Sequence, residues 1–397
     1  MFGEMETAYR FEPCFPEAAS REILDLVTAV ARKSATLGER LDARTARSLA
    51  DLVRVMSSYY SNLIEGHNTL PRDIEAALAD EFSEDNEKRN LQLEARTHVR
   101  LQEAVDRKFA EGSLPEPASV EFLTWLHREF YKDMPADFRR VRSTARTLEV
   151  APGRMRETPE EEVAVGRHVP PSPQFVSAFM RRFEERFSFA RLGEGEKIIA
   201  IASAHHRFNY IHPFVDGNGR VSRLMSHAMA LHAGIGAHGL WSISRGLARG
   251  LESRKEYKAM MEHADTPRRG DLDGRGNLSE RALSDFIAWF LKVAVDQLDF
   301  MAELYDLKGL VSRLKRLAGI KWRPEAGALL AHVLHRGEMP RGEASHITGL
   351  SVRTSSDLVQ TLVSDEILAS ETPKGPVFLR FKADFADVLF PRLFPET

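Results

Sequence analysis

Cysteine is nearly missing from this chain: Cys14 is the only one in 397 residues. No internal disulfide can form, so stability must come from a buried core, and a reducing compartment is a natural setting. Long apolar runs are missing too. No stretch of 18 apolar residues occurs, and the region Leu224–Trp241 is broken by His, Ser and Gly, so no membrane-spanning helix is expected. Met1 to Ser20 holds Glu4, Glu6, Arg10 and Glu12 where a signal peptide needs an apolar core. These absences predict a cytoplasmic protein. Charge of one sign is not in excess either: 55 Lys and Arg against 58 Asp and Glu leave −3, which gives nucleic acid no general attraction. No GxxxxGK(S/T) phosphate loop occurs. His205 and His206 lack zinc-ligand spacing and read as structural.

What is present is concentrated in His212-Pro-Phe-Val-Asp-Gly-Asn-Gly-Arg-Val-Ser-Arg223. Gly217, Asn218 and Gly219 allow backbone conformations in which successive N–H groups converge on an anion. Val221, Leu224, Met225, Ala228 and Leu231 follow at helical spacing, predicting a helix from near Gly219. The start of such a helix attracts phosphate, and Arg220 and Arg223 leave one face of it to clamp successive phosphates. Asp216 would repel those phosphates unless a divalent cation bridged them, and magnesium suits one carboxylate plus phosphate oxygens. His212 stands beside this as a candidate base.

All nine fixed positions of the pattern HPFx(D/E)GNGRxxR are filled by His212, Pro213, Phe214, Asp216, Gly217, Asn218, Gly219, Arg220 and Arg223. The chain therefore resembles the Fic-domain proteins over roughly Val120 to Phe300. The resemblance implies an enzyme that moves AMP from ATP to a hydroxyl side chain of a target protein. It implies His212 as the base, Asp216 as the magnesium ligand, and Gly217, Asn218 and Gly219 as a cradle for the α- and β-phosphates. Arg220 would meet the β-phosphate, Arg223 the γ-phosphate, and Phe214 would anchor the loop. Related phosphorylating toxins carry lysine where this chain has Gly219, which favours adenylylation. Trp241–Arg245 and Tyr257–Met261 resemble the segments lining the adenine side, with Tyr257 a candidate to stack on the base, although a tyrosine on an amphipathic helix is more often core.

A second motif lies upstream. Ser61-Asn-Leu-Ile-Glu65-Gly66 resembles the inhibitory helix of these proteins, (S/T)xxxE(G/N). Leu52, Val53, Met56, Tyr59, Tyr60 and Leu63 give helical spacing before it, Ser61 and Glu65 share a face, and Gly66 suits a helix end. By resemblance Glu65 would pair with Arg223 and withhold it from the γ-phosphate.

The fold expected is mostly α, with a Fic-type helical core, a β-hairpin flap, an N-terminal helical region and a C-terminal winged-helix domain. The divisions read 1–115, 116–305 and 320–397. Helices are expected over Val120–Tyr131, Gln174–Phe187 and Glu196–Tyr210, and the charged stretch Glu81–Arg107 reads as a solvated helix. Thr147–Val150 and Glu162–Val165 read as the two strands of the flap, which in the family holds the target by strand pairing. Glu325–His335, then Arg341–Thr348 and Ser351–Ser364 around Gly349, with a hairpin of Ile367–Ser370 and Val377–Phe381, read as the winged helix. From Lys321 onward nine Lys and Arg face ten Asp and Glu, so protein contact or dimerisation is preferred to DNA. Three alternatives stay open: AMP removal by the same site, another donor such as UTP, and a DNA-binding regulator with a nucleotide-sensing core.

Overall fold

The computed structural model describes residues 6–142 and 147–394. Helices dominate it, and its strands form two small antiparallel sheets. Four helices come first: α1 (Arg21–Gly38), α2 (Ala43–Ile64), α3 (Pro71–Leu78) and α4 (Asn86–Ala110). Ser20 and Asp42 cap α1 and α2 by accepting from the N–H groups of Ile23 and Arg44. α2 buries Leu49, Leu52, Val53, Met56 and Tyr60 at three- and four-residue spacing. It stops at Gly66, where φ is 89°. There Gly66 N–H reaches Leu63 O at 3.1 Å and His67 N–H reaches Asn62 O at 2.9 Å, the two bonds of a Schellman end. α4 departs from expectation. One stripe of this charged helix, including Gln92, Glu94, His98 and Gln102, is buried, because α2 packs along it.

α5 (Val120–Tyr131) has the expected bounds. β1 (Arg140–Arg142) then pairs with β2 (Thr147–Glu149), Arg140 opposite Glu149. This corrects the expected flap, which paired Thr147–Val150 with Glu162–Val165. Residues 162–164 are irregular, and Val165 only bridges His168 across a tight turn. The cause lies just upstream. Glu161 accepts from the N–H groups of Glu157 and Thr158 and pairs with Arg154, curling the chain where a strand would have to be extended. Residues 143–146, between the two strands, lie outside the described residues.

α6 (Val176–Phe187), α7 (Glu194–Ile211) and α8 (Asn218–His232) form the centre. α7 is buried on every side, with Ile198, Ala200, Ala202, Ala204, Phe208 and Ile211 all inside, the pattern of a helix enclosed by others. α9 (Ile243–Arg249), α10 (Glu256–Ala264) and α11 (Glu280–Leu304) follow, and α11 packs against α1, α7, α9 and α10.

The rest holds α12 (Leu307–Lys321), α13 (Pro324–Arg336), β3 (Glu338–Met339), α14 (Ala344–Thr348), α15 (Val352–Ser364), β4 (Leu368–Ala369), β5 (Val377–Leu379) and α16 (Ala386–Leu389). Gly349, at φ 70°, turns α14 into α15. The hairpin β4–β5 is present, and β3 adds an unexpected third strand, in the order β3-β5-β4. One contiguous apolar cluster runs from Phe11 to Leu393. Among the described residues no helix is long and apolar enough to cross a membrane.

Candidate active site

α7 ends at His212, which adopts a left-handed conformation (φ 50°, ψ 60°) that turns the chain sharply. The loop to α8 is closed by Asn218, whose side-chain oxygen accepts from Phe214 N–H and whose amide donates to Phe214 O, both at 2.9 Å. Phe214 is fully buried and stacks on His127, ring centroids 3.9 Å apart. His127 accepts from Gly153 N–H through Nδ1 at 2.9 Å and faces Asp216 O with Nε2 at 3.2 Å. Burial holds its pKa down to about 4, so the ring is neutral and Nε2 is the donor. Gly217, at φ 82°, opens α8; a Cβ there would lie 2.7 Å from the Tyr131 ring.

The first N–H groups of α8 are free of intrahelical partners by geometry and form the electropositive end of the helix. Asp216 sits beside them with its side chain 40 % accessible. Its Oδ2 accepts from Tyr131 Oη at 2.8 Å and from Arg220 Nη2 at 3.1 Å. Burial would push this carboxyl up, but the Arg220 charge, the Tyr131 hydroxyl and the Gly217 N–H outweigh it and hold it below the usual range. A hard cation would therefore meet an ionised carboxylate here. Among the described residues no group of three or more His, Cys, Asp or Glu could cage a metal, so such an ion would take its other ligands from water and substrate, as magnesium does.

His212 is pushed down to about 4, first by burial and then by the charges of Arg156 and His168. It is neutral throughout the physiological range, as a proton acceptor must be.

Both arginines are engaged. Arg223 donates through Nη2 to Glu65 Oε1 at 2.6 Å and to Ser61 O at 3.2 Å, and through Nε to Ser61 Oγ at 2.9 Å. Ser61 and Glu65 thus meet one guanidinium, as their shared helix face predicts. Arg220 bonds Glu94 and Asp216 and lies 5.1 Å from the centre of the Phe130 ring. Glu94 is fully buried and also accepts from His67 Nδ1 at 2.8 Å. Two guanidinium groups therefore face three carboxylates. Gly219 is the point of closest approach: a Cβ there would lie 2.5 Å from Glu65 Oε1.

The structure brings His212, Asp216, Gly217, Asn218, Gly219, Arg220 and Arg223 together with Ser61, Glu65 and Gly66. Tyr257 lies further in. Its hydroxyl reaches His205 Nε2 at 2.8 Å, and its ring is stacked on Trp289. Trp241 and Arg245 also turn inward, to Ile235 O and to Gln297. Glu94, His67, Tyr131, His127 and Arg156 are the residues that sequence reasoning missed. None belongs to a local motif, and Glu94 was hidden in a run of charges.

Residues 117–230 match the Fic/DOC family. A stretch of 73 residues is 38 % identical to the protein adenylyltransferase Fic of Drosophila erecta and 41 % identical to that of Drosophila virilis. It amounts to 18 % of this chain and 15 % of either relative. The crystal structure of a Fic family protein from Desulfovibrio desulfuricans superposes with a TM-score of 0.53 at 16 % identity, covering 93 % of this chain and 99 % of that one. A Fic domain containing signaling protein from Bacteroides thetaiotaomicron gives 0.50 at 17 %, covering 70 % and 97 %. The last two likenesses are of fold alone. The family match spans the loop from His212 to Arg223 and the helices α5, α6, α7 and most of α8 that frame it, and the chain therefore carries a Fic/DOC-family domain over residues 117–230.

Proposed function

We propose that this protein transfers AMP from ATP to a hydroxyl side chain of a target protein and is restrained in cis by Glu65. The observation that carries the proposal is Arg223 gripped by Glu65 and Ser61 beside a loop that also presents a neutral His212 and an ionised Asp216. The α- and β-phosphates of ATP rest on the N–H groups of Gly217, Asn218 and Gly219 at the start of α8, where the helix end favours anions. Arg220 faces the β-phosphate, and Arg223, once released, takes the γ-phosphate. Magnesium at Asp216 would supply the bridging positive charge that lets a carboxylate and the phosphates share this space. His212 accepts the proton of the target hydroxyl, whose oxygen attacks the α-phosphorus. The bond from that phosphorus to the β-phosphate breaks, and pyrophosphate leaves. While Glu65 occupies Arg223 the γ-phosphate lacks its clamp, and misplacing the reacting phosphorus by about 1 Å costs roughly 100-fold.

The name adenylyltransferase borne by the Drosophila relatives supports the same reaction. In this reading residues 1–115 carry the restraint, 116–305 the catalytic domain and 320–397 a winged-helix module. The α14–α15 pair and the three-stranded sheet support that last assignment. Its balanced charge supports a protein-facing or dimerising surface rather than a DNA-binding one, and a cytoplasmic setting suits the single free thiol. Tyr257 enters the proposal only as a core residue beside the site, because its ring is buried and its hydroxyl is bonded to His205.

The test uses ATP labelled on the α- or the γ-phosphate, with wild type, Glu65→Gly and Glu65→Gly/His212→Ala, scoring label on the protein itself and on lysate proteins. The expected result is label from the α-position only, stronger in Glu65→Gly and absent without His212. Transfer from the γ-position would replace the proposal with phosphorylation. No transfer by any variant that binds ATP would replace it with AMP removal, a different donor or nucleotide sensing.

A further inference from the structure

Arg156 lies in the loop between β2 and α6 and is among the largest fully buried side chains of the protein. Its donors go to backbone carbonyls. Nε reaches His212 O at 2.8 Å, Nη2 reaches Ile211 O at 3.2 Å and Pro171 O at 3.1 Å, and its own N–H reaches Pro213 O at 2.8 Å. Ile211, His212 and Pro213 are consecutive, so one residue grips the carbonyls before, at and after the candidate base. The Ile211 carbonyl is the last of α7 and the other two follow its C-terminal end, the negative pole of the helix, where a cation is favoured. We propose that Arg156 is the positioning residue of His212: it fixes the left-handed backbone from which the imidazole leaves α7.

The inference rests on the adenylyltransferase reading and adds a residue to it. The same charge works on the base. Burial is the first cause that keeps His212 neutral; Arg156 is the second and His168 the third, while Asp216 and the Asn209 carbonyl oppose them. Removing Arg156 should therefore raise the His212 pKa toward the ordinary histidine value of about 6.5.

The experiment places Arg156→Met and Arg156→Lys in the Glu65→Gly background. It follows kcat, the KM for ATP and the acid limb of the rate, and titrates His212 directly by NMR. Arg156→Met is expected to lose on the order of 100-fold in kcat with little change in KM, while the His212 titration moves up from about 4. Arg156→Lys keeps the charge and loses the grip, so kcat falls and the titration stays low. A folded Arg156→Met with an unmoved His212 titration, or with full kcat, overturns the proposal. If Arg156→Met does not fold, full kcat in Arg156→Lys overturns it alone. An inactive Glu65→Gly parent would refute the proposed reaction instead, and the NMR titration would still decide the link between Arg156 and His212.

An independent set of contacts ties the C-terminal part to the inhibitory helix. At the start of α2, Thr45 Oγ1 donates to Leu334 O at 3.2 Å and the Arg44 guanidinium lies 3.8 Å from the Phe378 ring centre. Near its end, Tyr60 Oη donates to Leu393 O at 3.0 Å and Tyr59 meets Phe394 edge-on at 5.9 Å. Tyr60 immediately precedes Ser61. We infer that the segment Arg392–Phe394 holds α2 seated, so that displacing it loosens Glu65 from Arg223. Tyr60→Phe combined with Phe394→Ala should raise α-label transfer about 5- to 150-fold, the usual span of coupling between sites, and should add nothing in the Glu65→Gly background. No rise, or an equal rise in both backgrounds, overturns it.

Discussion

The Glu65–Arg223 contact sets a graded expectation. The bond is 2.6 Å long, the arginine side chain is 1 % accessible and the glutamate side chain 29 %. A hydrogen bond to a charged group contributes about 1.5–3 kcal/mol, and a neutral one about 0.5–1.5 kcal/mol. The accessible glutamate places this pair at the low end of its range, because solvent screens it. Glu65→Gln keeps the shape and loses the charge, so it weakens the restraint by about 1 kcal/mol, or roughly 5-fold. Glu65→Gly removes the contact entirely, releasing about 1.5 kcal/mol at that low end, or roughly 10-fold. The assay is α-label transfer at subsaturating ATP, with ATP affinity measured in parallel. Three rates should therefore order as wild type, Gln, Gly. A Gln variant as fast as Gly would mean that the charge is irrelevant, and a Gly variant no faster than wild type would mean that Arg223 is not what limits transfer. Acid does not imitate the mutation near neutrality. Burial works against the Glu65 charge, but Arg223 and then Arg220 outweigh it and lower the pKa. The stabilisation is thus present above the unfolded value of about 4.3 and is lost only as pH falls through the lowered one.

Three further outcomes follow from the same geometry. His67 is raised chiefly by its bond to Glu94, so its contribution is complete below the unfolded pKa of about 6.5 and fades as pH climbs through the raised value; wild type should lose more Tm than His67→Gln between pH 6 and pH 8.5, and parallel curves would refute this. Asn218→Ala strands the Phe214 N–H and C=O that its side chain now satisfies, at about 1–3 kcal/mol for each, to be read from urea unfolding midpoints. Gly217→Ala meets both a φ of 82° and the Tyr131 ring at 2.7 Å; backbone strain alone of about 1–3 kcal/mol should lower stability, and a neutral effect would mean that the loop relaxes freely.

What could be read in the sequence, and what could not, divides by whether a residue's work is local. The loop from His212 to Arg223 is legible because a turn, a helix start and two arginines on one face need only twelve consecutive residues. The end of α2 is legible for the same reason: Ser61, Glu65 and Gly66 fit a helical repeat and its stop. The flap is not, because Glu162–Val165 has the composition of a strand while Glu161 five residues after Arg156 draws the chain into a turn instead. Glu94 and Arg156 are invisible for a different reason. A glutamate in a helix of alternating charges and an arginine in a loop both default to solvent, and only the fold shows otherwise. Glu94 is buried because α2 lies along α4 and Arg220 reaches it from α8. Arg156 is buried because α7 ends where three carbonyls need donors. Each neutralises something that a distant part of the chain leaves unsatisfied. A buried charge tolerates substitution poorly when its partner stays behind, so these two positions, though unmarked in sequence, should be less replaceable than the solvent-facing charges of α4 such as Lys88 and Arg89.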